Sequence, residues 1–163
     1  MSWDASAVQT VRYMIGDVDT PQKYTDARLK TACAIAANLI NNDITLNNTY
    51  AISISGETIS PDPTVDPVDL KFVDMIATRA SMLILQGELK IYANNSVKIV
   101  DGPSSIDIAN VFANTQKLLS DLNQSYAMMK NLYHMNGDNY GKTVMTPTIN
   151  TSVCEDYYYD RRS

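Results

Sequence analysis

The side chains with which a protein of this size would do chemistry are few here, and they are scattered. The one histidine, His134, falls where a long helical pattern ends, with no Cys, Asp or Glu cluster at metal-ligand spacing around it. At that place the negative end of the helix dipole satisfies it. Cys33 and Cys154 show no CxxC spacing and are read as free thiols of a reducing compartment. Two carboxylate pairs, Asp17 with Asp19 and Asp62 with Asp66, lie in turn-prone stretches, where aspartate commonly bonds its own backbone. Asp17-Val18-Asp19 begins like a calcium loop, but the DxDxDG run and the closing glutamate are missing. No GxSxG elbow, GxxxxGK[ST] loop or GxGxxG loop is present. The expectation is a protein that is not an enzyme and carries no metal and no cofactor.

The least expected feature is Tyr157-Tyr158-Tyr159 followed by Asp160-Arg161-Arg162. Tyrosine and arginine give much contact area for little lost entropy and are enriched where proteins bind proteins. The cluster is therefore read as a docking peptide for a partner protein, against the alternatives of a solvated terminus or of base stacking on nucleic acid.

Around these residues, 163 in all and 45% apolar, there is enough hydrophobic material for one packed domain. Acids outnumber bases, 18 against 13, so no global basic field exists to grip a phosphate backbone. The first residues, MSWDASAVQTVRYMIGD, lack the basic start and apolar run of a secretion signal, and no apolar stretch is long enough to span a bilayer. A protein made in a cytoplasm, without membrane attachment, is expected.

The periodicity predicts four helices. A short first one, capped by Asp4 or Ser6, places Val8, Val11, Met14 and Ile15 on one stripe and ends at Gly16. A second is capped by Thr25 or Asp26 with Tyr24 stapling from outside, and buries Leu29, Ala32, Cys33, Ile35, Ala36, Leu39 and Ile40. Tyr50, Ile52 and Ile54 then alternate with small residues up to Gly56, and Thr58-Ile59 returns as a partner strand. The proline-rich stretch 60–67 is a stiff loop. Asp66-Pro67 marks the start of a third helix, with Asp69 at its positive end and Val68, Phe72, Val73, Ile76, Ala80, Leu83 and Ile84 on its inner face; it bends or ends near Gly87. Val97 and Ile99 are short extended chain before the turn Asp101-Gly102-Pro103. Ser104 or Ser105 caps a fourth, long helix from about Ile106, carrying Ile108, Val111, Phe112, Thr115, Leu118, Leu119, Leu122, Met129 and Leu132. After that the periodicity disappears. The fold class is thus mainly α: a four-helix, bundle-like core over 1–134, a β-hairpin and loop insert over 49–66 between helices 2 and 3, and an extended C-terminal docking tail over 135–163.

Two stretches resemble a known family. VRYMIGDVDTPQKYTDARLKTACAIAANLI is similar to the first two helices of the head-to-tail connector proteins (adaptor or head-completion proteins) of tailed bacteriophages, in which an IGD turn precedes an aromatic, a Ser/Thr-Asp cap and an Ala-rich helix. QGELKIYANNSVKIVDGPSSID is similar to the family's link into its last long helix. The two motifs and the spacing between them together cover most of residues 8–132. The resemblance implies a structural virion protein at the head-tail interface, made in the host cytoplasm, without enzymatic activity. It implies a homo-oligomeric ring, dodecameric in the family, that sits beneath the portal protein, continues the DNA channel, and receives a stopper, tail terminator or tail protein. By the same analogy Tyr157, Tyr158, Tyr159, Arg161 and Arg162 would dock on the portal, and Tyr50, Ile52, Ile54 and Ile59 would contact neighbouring subunits or the tail side. DNA passes through such a ring without specific binding, so acids suit its walls; Asp26, Asp69, Asp74, Asp107 and Asp121 are the candidates. The reading from a different class is a small cytoplasmic helical scaffold or regulatory protein that binds its partner through the Tyr/Arg tail.

Overall fold

The computed structural model describes residues 2–65, 67–94 and 108–135. Four helices appear in it, α1 (Trp3–Ile15), α2 (Asp26–Asp43), α3 (Leu70–Asn94) and α4 (Ile108–Met135), with strands β1 (Ala51–Ser53) and β2 (Thr58–Ser60) between α2 and α3. The expected fold class is therefore observed: mainly helical, with a hairpin insert between the second and third helices. The tail beyond Met135, the segment holding Val97, Ile99 and the caps Ser104 and Ser105, and Asp66 lie outside the described residues.

The centre of the molecule is α3, on which α1, α2 and α4 all pack. Its Phe72, Ile76, Ala77 and Ala80 have no solvent exposure. Burying each large apolar side chain contributes roughly 1.5–3 kcal/mol. Against α3 lie Ala7 and Val11 of α1 and Leu29, Cys33, Ala36, Ala37 and Ile40 of α2, all without exposure. The alanines permit the close approach of α2 that the small-residue run predicts.

Helix α4 runs antiparallel to α3. Tyr133 meets Asp69 at one end, Met129 lies beside Thr78, and Tyr126 lies beneath Arg79. Phe112, Thr115, Leu119, Leu122, Tyr126, Met129 and Tyr133 are buried or half-buried on α4 at alternating three- and four-residue spacing, with Ser125 and Lys130 half-buried beside them. That is the spacing of a seam between two long helices.

Several local expectations are corrected. Helix α1 starts earlier than the capping residues Asp4 and Ser6 imply, with Ser2 at the cap position, because Trp3 is a core residue and enters the helix. Helix α3 starts later than Asp66-Pro67 implies. Asp69 is its cap, its Oδ1 accepting the Phe72 N–H at 3.1 Å, and Val68 is consequently exposed outside the helix. The preceding chain is turned away by Asp62, whose Oδ1 accepts the Thr64 N–H at 2.8 Å, and by an Asp69 N–H bond to the Pro63 carbonyl. Gly87 does not end α3, which runs through it to Asn94. Ile35 and Leu39 of α2, and Val111, Leu118 and Leu132 of α4, share the helical period of the core but lie on exposed edges.

Two expected termini are observed. Gly16 ends α1 in the left-handed region at φ 73°, its N–H and that of Asp17 bonding the carbonyls of Tyr13 and Arg12. Nothing lies near the position a Cβ would take there. Gly16→Ala is therefore expected to cost only the backbone term, about 1 kcal/mol, read as a lower urea midpoint with an unchanged slope. Thr25 caps α2, accepting the Arg28 N–H at 3.4 Å, and Tyr24 is buried just outside.

Candidate interaction surfaces

The IGD turn folds around an ion cluster centred on the buried pair Arg12 and Asp17, with exposed Asp26 at its edge. Arg12 of α1 donates Nη1 to Asp17 Oδ2 at 2.8 Å and Nη2 to the Tyr24 carbonyl at 3.0 Å, and its Nε reaches Asp26 Oδ1 at 3.2 Å. The second carboxylate oxygen of Asp17 accepts the Lys23 N–H at 2.7 Å, while Oδ2 also takes the Tyr24 N–H at 3.1 Å. Each oxygen of the buried Asp17 carboxylate thus finds a donor, the condition for holding a charge inside a protein. The cluster ties the end of α1 to the start of α2. As expected for a turn carboxylate, Asp17 serves structure.

The five acids expected to line a channel divide sharply. Asp26 is spoken for by Arg12. Asp69 is buried and, besides capping α3, accepts the hydroxyls of Tyr133 at 2.6 Å and Tyr50 at 3.3 Å on Oδ2. It faces the interior of its own chain and lines no channel, because the cap position turns its carboxylate inward. Asp74 is exposed on α3, close enough to the core for partial desolvation to raise its pKa. Asp121 is exposed on α4. Asp107 lies outside the described residues, as do Tyr157, Tyr158, Tyr159, Arg161 and Arg162.

The hairpin residues divide likewise. β1 and β2 pair antiparallel with Ile52 opposite Ile59. Tyr50 and Ile59 belong to the chain's own core, Tyr50 stacking on Phe72 with ring centroids 4.6 Å apart. Period-two alternation points one set of side chains to a single face but does not say whose core that face meets. Ile52 is half-buried against the same core, which leaves Ile54, at the turn, as the hairpin residue able to touch a neighbour.

Two apolar surfaces are open. One is a groove of about 430 Å³ between α2 and α3, walled by Ala32, Ile35, Leu83, Ile84 and Ile91, with Arg28 and Glu88 at its rim. Tyr24 closes its end and donates its hydroxyl to Glu88 at 2.5 Å; burial first, then that bond, push its pKa up to about 12. The other is the outer edge of α4, where Val111, Leu118, Met128 and Leu132 are 37–56% exposed. The signal for both was in the sequence: each helix carries more apolar positions than one packing face uses.

Cys33 is fully buried in α2, and burial pushes its thiol up to about 12. It is expected to escape alkylation by iodoacetamide at pH 8 in the folded protein and to react once urea unfolds it, followed by peptide mass mapping. Among the described residues no His, Cys, Asp and Glu side chains gather to hold a metal ion, and no helix is long and apolar enough to cross a membrane. Comparison with family models, curated proteins and solved structures returns no match.

Proposed function

We propose that this chain is a structural virion protein, a subunit of the ring that joins a phage portal to the neck or tail and continues the DNA channel. The observation that carries the reading is the outer edge of α4. A 28-residue helix, about 42 Å long, leaves Val111, Leu118, Met128 and Leu132 in water along its whole length. A lone domain gains nothing from such a stripe, whereas a ring buries it between subunits. The resemblance of the IGD segment and of the link into α4 to phage adaptors supplies the type of ring, and with it the dodecameric count and the stopper, tail terminator or tail protein as further partners. Exposed Asp74 is assigned in this reading to the channel wall, where acids repel a passing duplex.

In this reading the tail, with Tyr157, Tyr158, Tyr159, Arg161 and Arg162, docks on the portal. Deleting residues 150–163 is expected to leave the helical circular dichroism and melting temperature of the isolated protein nearly unchanged while abolishing co-sedimentation with portal rings. Undiminished binding of the truncated chain would remove the tail from the portal contact.

A further inference from the structure

We propose that the two open apolar surfaces are the halves of one contact: the outer edge of α4 seats in the α2/α3 groove of a second copy, with Asp121 meeting Arg28 of that copy. The contact deepens the ring reading, on which it rests for its closure.

The two surfaces differ in shape, one a ridge on a single helix and the other a groove between two. A ridge meeting a groove gives a heterologous contact that repeats from copy to copy. A chain does not fill its own groove with its own ridge. Lys130 and Tyr126 tie the opposite edge of α4 to Asp43 at the end of α2, at 3.0 Å and 3.2 Å, so the outer edge faces away from α2.

Charge fixes the partner. Asp121 lies among the stripe residues, three positions after Leu118 and seven before Met128, and forms no ion pair with the described residues. At the rim of the groove, the Arg28 guanidinium lies over the Tyr24 ring at 5.0 Å and likewise forms no ion pair there. Burying either charge alone within an apolar contact is unfavourable, and each supplies what the other lacks. Ile35 and Ile91 line the same groove as Arg28, and exposed Leu39 follows Ile35 one turn further along α2. This assignment takes Asp121 off the channel wall.

The test is charge exchange in the full chain, read by sedimentation velocity up to millimolar concentration. The unaltered protein is expected to self-associate, and Asp121→Arg and Arg28→Asp each to weaken association by more than about tenfold, with helical circular dichroism retained. Mixed one to one, the two variants are expected to associate again, because every ridge then finds a groove of opposite charge on the other variant; a folding defect would not be rescued in this way. A monomer at millimolar concentration, unimpaired single variants, or a mixture no better than its parts would each overturn the contact. Portal rings that accept Asp121→Arg as readily as the unaltered chain would also overturn it while leaving the ring reading standing. Self-association that follows the charges, in a protein no portal accepts, would do the reverse.

Discussion

Replacing Asp69 with alanine is expected to lower the unfolding free energy by about 3–5 kcal/mol, a large part of what a domain of this size possesses. One carboxylate joins three elements: Oδ1 caps α3 through the Phe72 N–H, and Oδ2 receives the hydroxyls of Tyr133 from α4 and Tyr50 from the chain entering β1. Loss of the cap costs about 1 kcal/mol. Each hydroxyl left without its acceptor adds roughly 1–3 kcal/mol, moderated because Tyr133 still accepts the Asn47 N–H and Tyr50 still accepts from Asn48. Urea titration of Asp69→Ala, Tyr133→Phe and the double variant measures the link. The double variant is expected to lose less than the sum of the single ones, because the phenylalanine has no proton to orphan. Strict additivity would mean that the two residues do not share a bond.

Arg12→Ala is expected to cost a similar amount, about 3–5 kcal/mol, for a different reason. The arginine is itself buried, and its removal strands the carboxylate of Asp17, whose side chain is 8% exposed, with only two backbone donors. Lysine is not expected to restore the loss, since one ammonium does not reach Asp17, Asp26 and the Tyr24 carbonyl as the planar fork does. The loss is expected to persist at high salt, which screens buried pairs little. The contrast is the Lys130–Asp43 pair, where the carboxylate is 46% exposed and Lys130→Ala is expected to cost under about 1 kcal/mol. Equal losses at the two sites would show that the IGD cluster is no more than a surface pair.

Both predictions show which parts of the structure were legible in the sequence. The four helices, the hairpin, the Gly16 stop and the Thr25 cap follow from local rules, because each concerns a few neighbouring residues and their backbone. The start of α3 did not. Asp66-Pro67 and Asp69 are both good local starts, and the choice between them is made by Tyr50 and Tyr133, 19 and 64 residues from Asp69 along the chain. The same distance in sequence hides the role of Asp69, which by composition is one acid among 18. Ile35, Leu39, Leu118 and Leu132 mark the other limit. Helical period identifies apolar positions, but α2 and α4 each present more of them than α3 covers, and period alone does not say which edge stays open. That excess is where we propose the partner surfaces. Tyr50 and Ile59 teach the converse, for an insert that reads as an appendage sends two anchors back into the core.

The central claim is that this chain is a ring-forming subunit between portal and tail. Electron microscopy of the full-length protein mixed with assembled portal rings tests it most directly. The account predicts a second ring stacked on the narrow end of the portal, coaxial with its channel, with α4 of each subunit against its neighbour. Portal rings that remain bare at saturating concentrations of a folded protein would contradict it.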